Sequence, residues 1–241
     1  MNIYVRAAAT VVGCLLLTAC ASHPAAIPFD RSSAGDIKTI GVLTVSMYDK
    51  PTVKLATDIG QSFGLVGVMV NDELQNARNK AFWKSIEVDK NQPQTTFADA
   101  LTASLRDHGF NVKSIYFARS NAKFLTQYPP VANTQVDAYL DVIFMGVGYG
   151  YIAAGMGDST PYRPFVRLDF RLVRASDSSV LIQDTVFYNA INGSDKIVTL
   201  AADPAYTFVD FDALQADPKE ALAGMNDSLR QTANAIGNLL H

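Results

Sequence analysis

The sequence predicts an α+β fold, a two-layer sandwich with helices packed on one face of a mixed, largely antiparallel sheet. Three observations carry that expectation. The stretches FVRLDFRLV and VLIQDTVFY flank a polar turn, ASDSS, and the first alternates strictly: Val166, Leu168, Phe170 and Leu172 point one way, Arg167, Asp169 and Arg171 the other. Such alternation marks antiparallel strands with one covered and one wet face. Two long stretches, one following Thr96 and one following Asp217, instead space their apolar residues by three and four, as amphipathic helices do. A third, IKTIGVLTV at 37–45, is β-branched and almost uncharged, the pattern of a buried strand. Long helices laid on one face of such a sheet are the economical packing.

In chain order, the first element is a leader. Arg6 supplies a positive start, residues 7–17 are uncharged, and small residues follow. Eleven residues are too few to cross a hydrocarbon core of about 30 Å as a helix. The tetrad Leu17-Thr18-Ala19-Cys20 resembles the lipobox of bacterial lipoproteins. That resemblance implies cleavage before Cys20, diacylglycerol on its thiol and acylation of the new terminus, so Cys20 is the expected lipid attachment site. Several acyl chains give stable membrane anchorage where one does not. The family's sorting rule retains proteins with Asp after the cysteine in the inner membrane; here the residue is Ala21. The resemblance therefore implies the outer membrane of a Gram-negative cell, periplasmic face. Cys14 would leave with the leader and Cys20 would be acylated, leaving the mature chain no thiol for a disulfide.

Removing residues 1–19 leaves 222, enough for one full core without staples. The whole chain carries 20 basic and 23 acidic residues, and the leader takes only Arg6 with it. A balance near −4 offers no electrostatic reason to expect a nucleic-acid partner. Residues 20–36, rich in Ala, Ser and Pro and without period, read as the lipidated cysteine and a flexible tether. Residues 37–241 read as a single periplasmic α+β domain, with a helical insertion at about 48–91. Within that insertion Phe63, Val66, Val70, Leu74, Ala77 and Ala81 form the expected stripe.

The next helix is expected to start at Thr96, in a capping-box-like Thr96-x-x-Asp99, to bury Phe97, Leu101, Leu105 and His108, and to end at Gly109. Strands are expected at 110–117 and in VDAYLDVIFMGVGYGYIAA, then the hairpin. A closing helix should be capped by Asp217, with Pro218 at its first position and Glu220 in a capping box, and should bury Leu222, Met225, Leu229, Ala233, Ile236 and Leu240.

This order of elements, carried by IKTIGVLTV, FADALTASLRDHGF, VDAYLDVIFMGVGY and the hairpin, resembles periplasmic αβ domains such as the amino-terminal domain of TolB-type proteins and CsgG-type lipoproteins. The resemblance implies a non-catalytic binding or accessory role in envelope assembly or transport, with no cofactor.

Four chemical candidates are weighed against that reading. GQSFG at 60–64 has the form of a nucleophile elbow around Ser62, but a hydrolase also needs a histidine on a firm loop. Only His23, His108 and His241 exist, in the tether, at a helix end and at the last residue. GVGYGYIAAG mimics a dinucleotide fingerprint, yet glycines and prolines follow where a helix is required. A period of two explains it better: Tyr139, Asp141, Ile143, Met145, Val147, Tyr149 and Tyr151 share one strand face, and the glycines on the other admit a closely packed helix. No metal site is expected, because the histidines are far apart in sequence and no thiolate is free. Asp169 and Asp184, opposed across the hairpin, read as part of a solvated ion-pair ladder with Arg167 and Arg171.

A partner surface is expected in two places. LVGVMV, with Leu65, Val68 and Met69, is apolar all round, which means either a thicker core or contact with a second chain, an envelope protein or another copy. The loop around Tyr149, Tyr151 and Tyr162 is the other, since tyrosine is enriched at interaction hot spots. Two further functions stay open: a serine hydrolase using Ser62, and a periplasmic carrier holding a small apolar ligand between helix and sheet.

Overall fold

The computed structural model describes residues 24–45, 51–55, 72–86, 92–119, 122–151, 161–190 and 197–241. Its strands are β1 (Thr39–Leu43), β2 (Thr52–Leu55), β3 (Asn111–Ile115), β4 (Ala138–Tyr151), β5 (Arg163–Arg174), β6 (Val180–Tyr188) and β7 (Val198–Leu200). The helices are α1 (Asp72–Ile86), α2 (Gln92–Asp107), the single turn α3 (Val131–Thr134), α4 (Phe211–Ala216) and α5 (Pro218–Leu239). The fold is α+β, built on one seven-stranded mixed sheet of order β3-β1-β4-β5-β6-β7, with β2 also on β4. The long central pairings, β4 with β5 and β5 with β6, are antiparallel. The short outer ones are parallel. β1 pairs with the start of β4 and β2 with its end, on the edge opposite β5.

The main core lies between this sheet and the helices α2 and α5. Phe97, Leu101 and Leu105 of α2 and Leu229, Ala233 and Ile236 of α5 are buried against the face carrying Leu140, Val142, Phe144, Leu168, Phe170 and Leu172. Phe97 meets Phe144 edge to face, ring centres 4.8 Å apart. The two helices run parallel and close. Thr96 Oγ1 lies 3.4 Å from Asn226 Oδ1 near their starts, and His108 Nε2 lies 3.0 Å from Asn238 Oδ1 at their ends. A Cβ added to Gly237 would sit 2.1 Å from Ser104 Oγ, so only glycine allows this approach.

Helix ends follow local chemistry. Asp217 accepts from the Glu220 N–H at 3.0 Å with Pro218 at the first position, as its sequence requires. Gly109, at φ +88°, makes the left-handed exit from α2. The start of α2 differs from expectation: it begins at Gln92, and Thr96, one turn inside, faces Asn226 instead of capping. The insertion also differs. It contains a strand, β2, whose Val53 N–H is held by Asn79 Oδ1 of α1 at 2.6 Å. In α1 Phe82 and Ile86 are buried while Ala77 is exposed, so the stripe inferred through Ala77 is rotated away from the core.

Two departures change how the sheet is used. First, β4 does not keep a period of two. Phe144 pairs with Leu168 and Gly146 with Arg167, leaving Met145 as an extra residue, 37% exposed. Such a bulge inverts the alternation beyond it. Val147 therefore joins Leu140, Val142 and Phe144 in the main core, and Tyr149 turns to the helical side, where its hydroxyl donates to the Ala221 carbonyl at 3.2 Å. Second, the close approach at the glycines is made by a strand, not a helix. Gly148, at φ +145°, would place a Cβ 1.8 Å from the Thr52 carbonyl oxygen of β2.

Within the stretch read as a tether, residues 25–36 are tied to the domain. Ile27 exchanges both backbone hydrogen bonds with Gln183 of β6, at 2.8 and 3.0 Å, and the Gln183 side chain donates to the Ala25 carbonyl at 3.0 Å. Further on, Arg174 donates to the Ser33 carbonyl at 2.6 Å and pairs with Asp36, whose carboxyl that hydrogen bond holds below its ordinary range. Along part of its length this segment covers the outer edge of β6, where unpaired backbone groups would otherwise face solvent.

Candidate functional site

The sheet face away from the helices is covered as well, by residues 122–130 together with Phe117 and Arg119. Beneath them sits a polar cluster centred on Asp141 of β4, which is 0% exposed. Its Oδ1 accepts from Arg119 Nη2. Its Oδ2 accepts from the Leu125 N–H at 2.9 Å and the Tyr128 hydroxyl at 3.0 Å. Arg119 is equally occupied: Nε donates to the Thr44 carbonyl at 2.8 Å and Nη1 to the Lys123 carbonyl at 3.3 Å. Arg171, opposite Asp141 in the register, donates through Nε to Tyr128 Oη at 2.7 Å and through Nη2 to the Leu125 carbonyl, and its guanidinium lies 4.5 Å from the centre of the Phe124 ring. Burial, followed by the nearby Asp141 charge, pushes the Tyr128 hydroxyl pKa far above its ordinary range. Tyr128 also stacks on Tyr139, 5.5 Å between ring centres, and Tyr139 donates to the Pro129 carbonyl at 2.7 Å.

This arrangement is a clamp. Both carboxylate oxygens of Asp141 are engaged by named donors, two of them from the covering segment, which is thereby held against the sheet. The expected wet face with a solvated ion-pair ladder is thus corrected at this end of the sheet. Asp169 is only 8% exposed and accepts from Thr185 Oγ1 at 2.7 Å. Asp169 pairs with Thr185 and Phe170 with Asp184, so Asp169 and Asp184 point to opposite faces and cannot act together.

The second gathering lies where α1, α4 and α5 meet the end of β4. Phe82 and Phe208 both pack edge-on to Tyr149, at 5.7 and 5.5 Å between ring centres. Tyr149 is 0% and Tyr162 3% exposed, so both belong to a buried cluster instead of an exposed tyrosine surface; the bulge turned Tyr149 inward. Burial pushes the Tyr149 hydroxyl far above its ordinary range. At the rim of this cluster is an open cleft of about 390 Å³ between α1 and α4, lined by Ala77, Arg78, Ala81, Tyr162, Asp210, Phe211 and Asp212. Its floor is aromatic and its rim charged. Arg78 lies over the Phe211 ring at 5.6 Å, and Asp210 caps α4 by accepting from the Ala213 N–H at 2.7 Å. The cleft lies between two helices, not between helix and sheet.

Other expected positions fare differently. Cys20, Ser62, Leu65, Val68 and Met69 lie outside the described residues. Tyr151 ends β4, paired with Leu55 of β2. His108 and His241, far apart in sequence, stand with ring centres 4.7 Å apart, because α2 and α5 end side by side. Among the described residues, no group of three or more His, Cys, Asp or Glu could hold a metal ion. No helix among them is long and apolar enough to cross a membrane. The clamp was not foreseen. Arg119 and Asp141 are 22 residues apart, with no motif joining them.

No protein-family model matches the chain, and no curated protein is significantly similar to it in sequence. Solved structures with some likeness include protein XCC0632 from Xanthomonas campestris, of the family DUF330, at 12% identity over 83% of this chain and 81% of that one, TM-score 0.39. A PelC dodecamer from Paraburkholderia phytofirmans matches at 11% identity, 84% and 86% coverage, TM-score 0.33. The hypothetical protein CT253 from Chlamydia trachomatis matches at 9% identity, 85% and 98% coverage, TM-score 0.38. At these values the likeness assigns no role to this chain.

Proposed function

We propose that this chain is a lipid-anchored periplasmic protein of the outer membrane whose domain binds another envelope component and performs no chemistry itself. The observation that carries the proposal is the lipobox at 17–20, followed by Ala21 in place of Asp. Two structural features support it. Because residues 25–36 are tied to the domain, only four residues lie between Cys20 and Ala25, five steps along the chain with a reach of at most about 18 Å. A lipid on Cys20 would therefore hold the β6 edge close to the bilayer. The α1–α4 cleft adjoins both segments expected to meet a partner: α1 begins at Asp72, just after the apolar LVGVMV, and Tyr162 closes the tyrosine-containing loop.

Intact-mass analysis of protein from its native host tests the anchor; an unmodified Cys20 thiol or an uncut leader refutes it. A photo-crosslinking residue at exposed Ala77 tests the binding role in cells. Adducts of defined mass are expected there and not at Ser179 in the β5–β6 turn, and equal or no adducts at both positions would refute the cleft as the binding surface. The cleft's volume also favours a second reading, a carrier of a small ligand, for which native mass spectrometry should find a retained molecule.

A further inference from the structure

The three histidines gave no metal site by sequence spacing, yet two of them meet at one point of the fold. Parallel packing brings the carboxyl ends of α2 and α5 together, and His108 and His241 lie there with ring centres 4.7 Å apart and planes tilted by 34°. Asn238 Oδ1 stands 3.0 Å from His108 Nε2. That separation suits a hydrogen bond. It is also the spacing of neighbouring ligands, since nitrogen and oxygen donors bonded at about 2.1 Å and at right angles lie about 3 Å apart. Both helices direct the negative ends of their dipoles toward this end, which favours a cation. His108 is half-buried and His241 exposed, so the site is open to solvent.

We propose that His108, His241 and Asn238 form a surface site for a divalent copper or nickel ion. Two imidazoles and one amide oxygen, completed by water, match the mixed nitrogen–oxygen tetragonal preference of these ions. The set falls short of the four protein ligands of a structural zinc centre. Bound metal would join the ends of α2 and α5, and an ion that binds only the folded state raises its stability.

The test is titration of the full mature chain, first stripped of metal, with copper(II) chloride, followed by calorimetry and electron paramagnetic resonance. One ion per chain is expected, with hyperfine structure from two nitrogens and a higher Tm than the metal-free protein. His108→Ala and His241→Ala should each weaken binding at least tenfold and remove one nitrogen from the spectrum. His241 lies beyond the last helix and is exposed, so its replacement leaves the fold intact, which circular dichroism would verify. Unchanged affinity in the His108→Ala/His241→Ala double variant would overturn the proposal. So would binding that is lost in His23→Ala.

Discussion

Replacing Asp141 by Asn tests whether the clamp holds the back face of the sheet. The carboxylate is fully buried and takes three donors, from Arg119, Leu125 and Tyr128, while the Arg119 side chain is itself only 6% exposed. Asparagine keeps the shape but turns one acceptor oxygen into a donor and removes the charge. One donor then faces an NH₂ group, and the Arg119 guanidinium loses its counter-charge where water cannot replace it. A hydrogen bond to a charged group contributes about 1.5–3 kcal/mol, and an orphaned buried partner costs about 1–3 kcal/mol. Together these give about 3–5 kcal/mol, the range found when one member of a buried ion pair is removed. Urea denaturation would show this as a fall in midpoint at constant slope. Opening of the covering segment should also speed tryptic cleavage after the exposed Lys123, since about 1.4 kcal/mol corresponds to a tenfold change in the open population. The Asp141→Leu/Arg119→Met pair should cost less than the sum of its two single changes, because neither charge is left stranded. A loss under about 1 kcal/mol for Asp141→Asn, the value of a surface pair, or strict additivity in the double variant, would refute the reasoning.

Other changes probe the remaining framework. Gly148→Ala demands a φ of +145° from a residue with a Cβ and drives that atom into the Thr52 carbonyl; a loss above about 3 kcal/mol is expected in the same denaturation assay. Asp217→Ala removes the N-cap of α5 and should cost about 1 kcal/mol, or about 2–4 °C in Tm for a domain of this size. Asp184, whose acidity is lowered by burial and only partly restored by the Thr185 N–H, is expected to destabilise the fold when ionised. Its folded pKa lies above its unfolded value, so stability falls as pH rises through that interval. Asp184→Asn should therefore raise Tm at pH 7, and the gain should vanish as pH drops below the unfolded carboxylate range; an equal gain at both pH values would contradict it.

What could be read from residues alone was local. The β5–β6 hairpin follows from Val166, Leu168, Phe170 and Leu172, because alternation is a property of one strand. The start of α5 follows from Asp217, Pro218 and Glu220, because a cap is closed within four residues. The buried face of α2 follows from Phe97, Leu101 and Leu105 at helical spacing. With these the α+β class was determined, and so was the lipobox on which the proposed location rests. Tertiary structure decided what depends on distant partners. One extra residue, Met145, reversed the facing of Tyr149, and no pattern within β4 announces a bulge that only pairing with β5 defines. The segment over the back face is held by contacts from Asp141 and Arg171, so a strand that looks half-solvated by its arginines is covered. His108 and His241 meet only because α2 and α5 run parallel and end together. Periodicity reports which side of an element is apolar; what lies against the other side depends on chain far away in sequence, and only the folded packing supplies that.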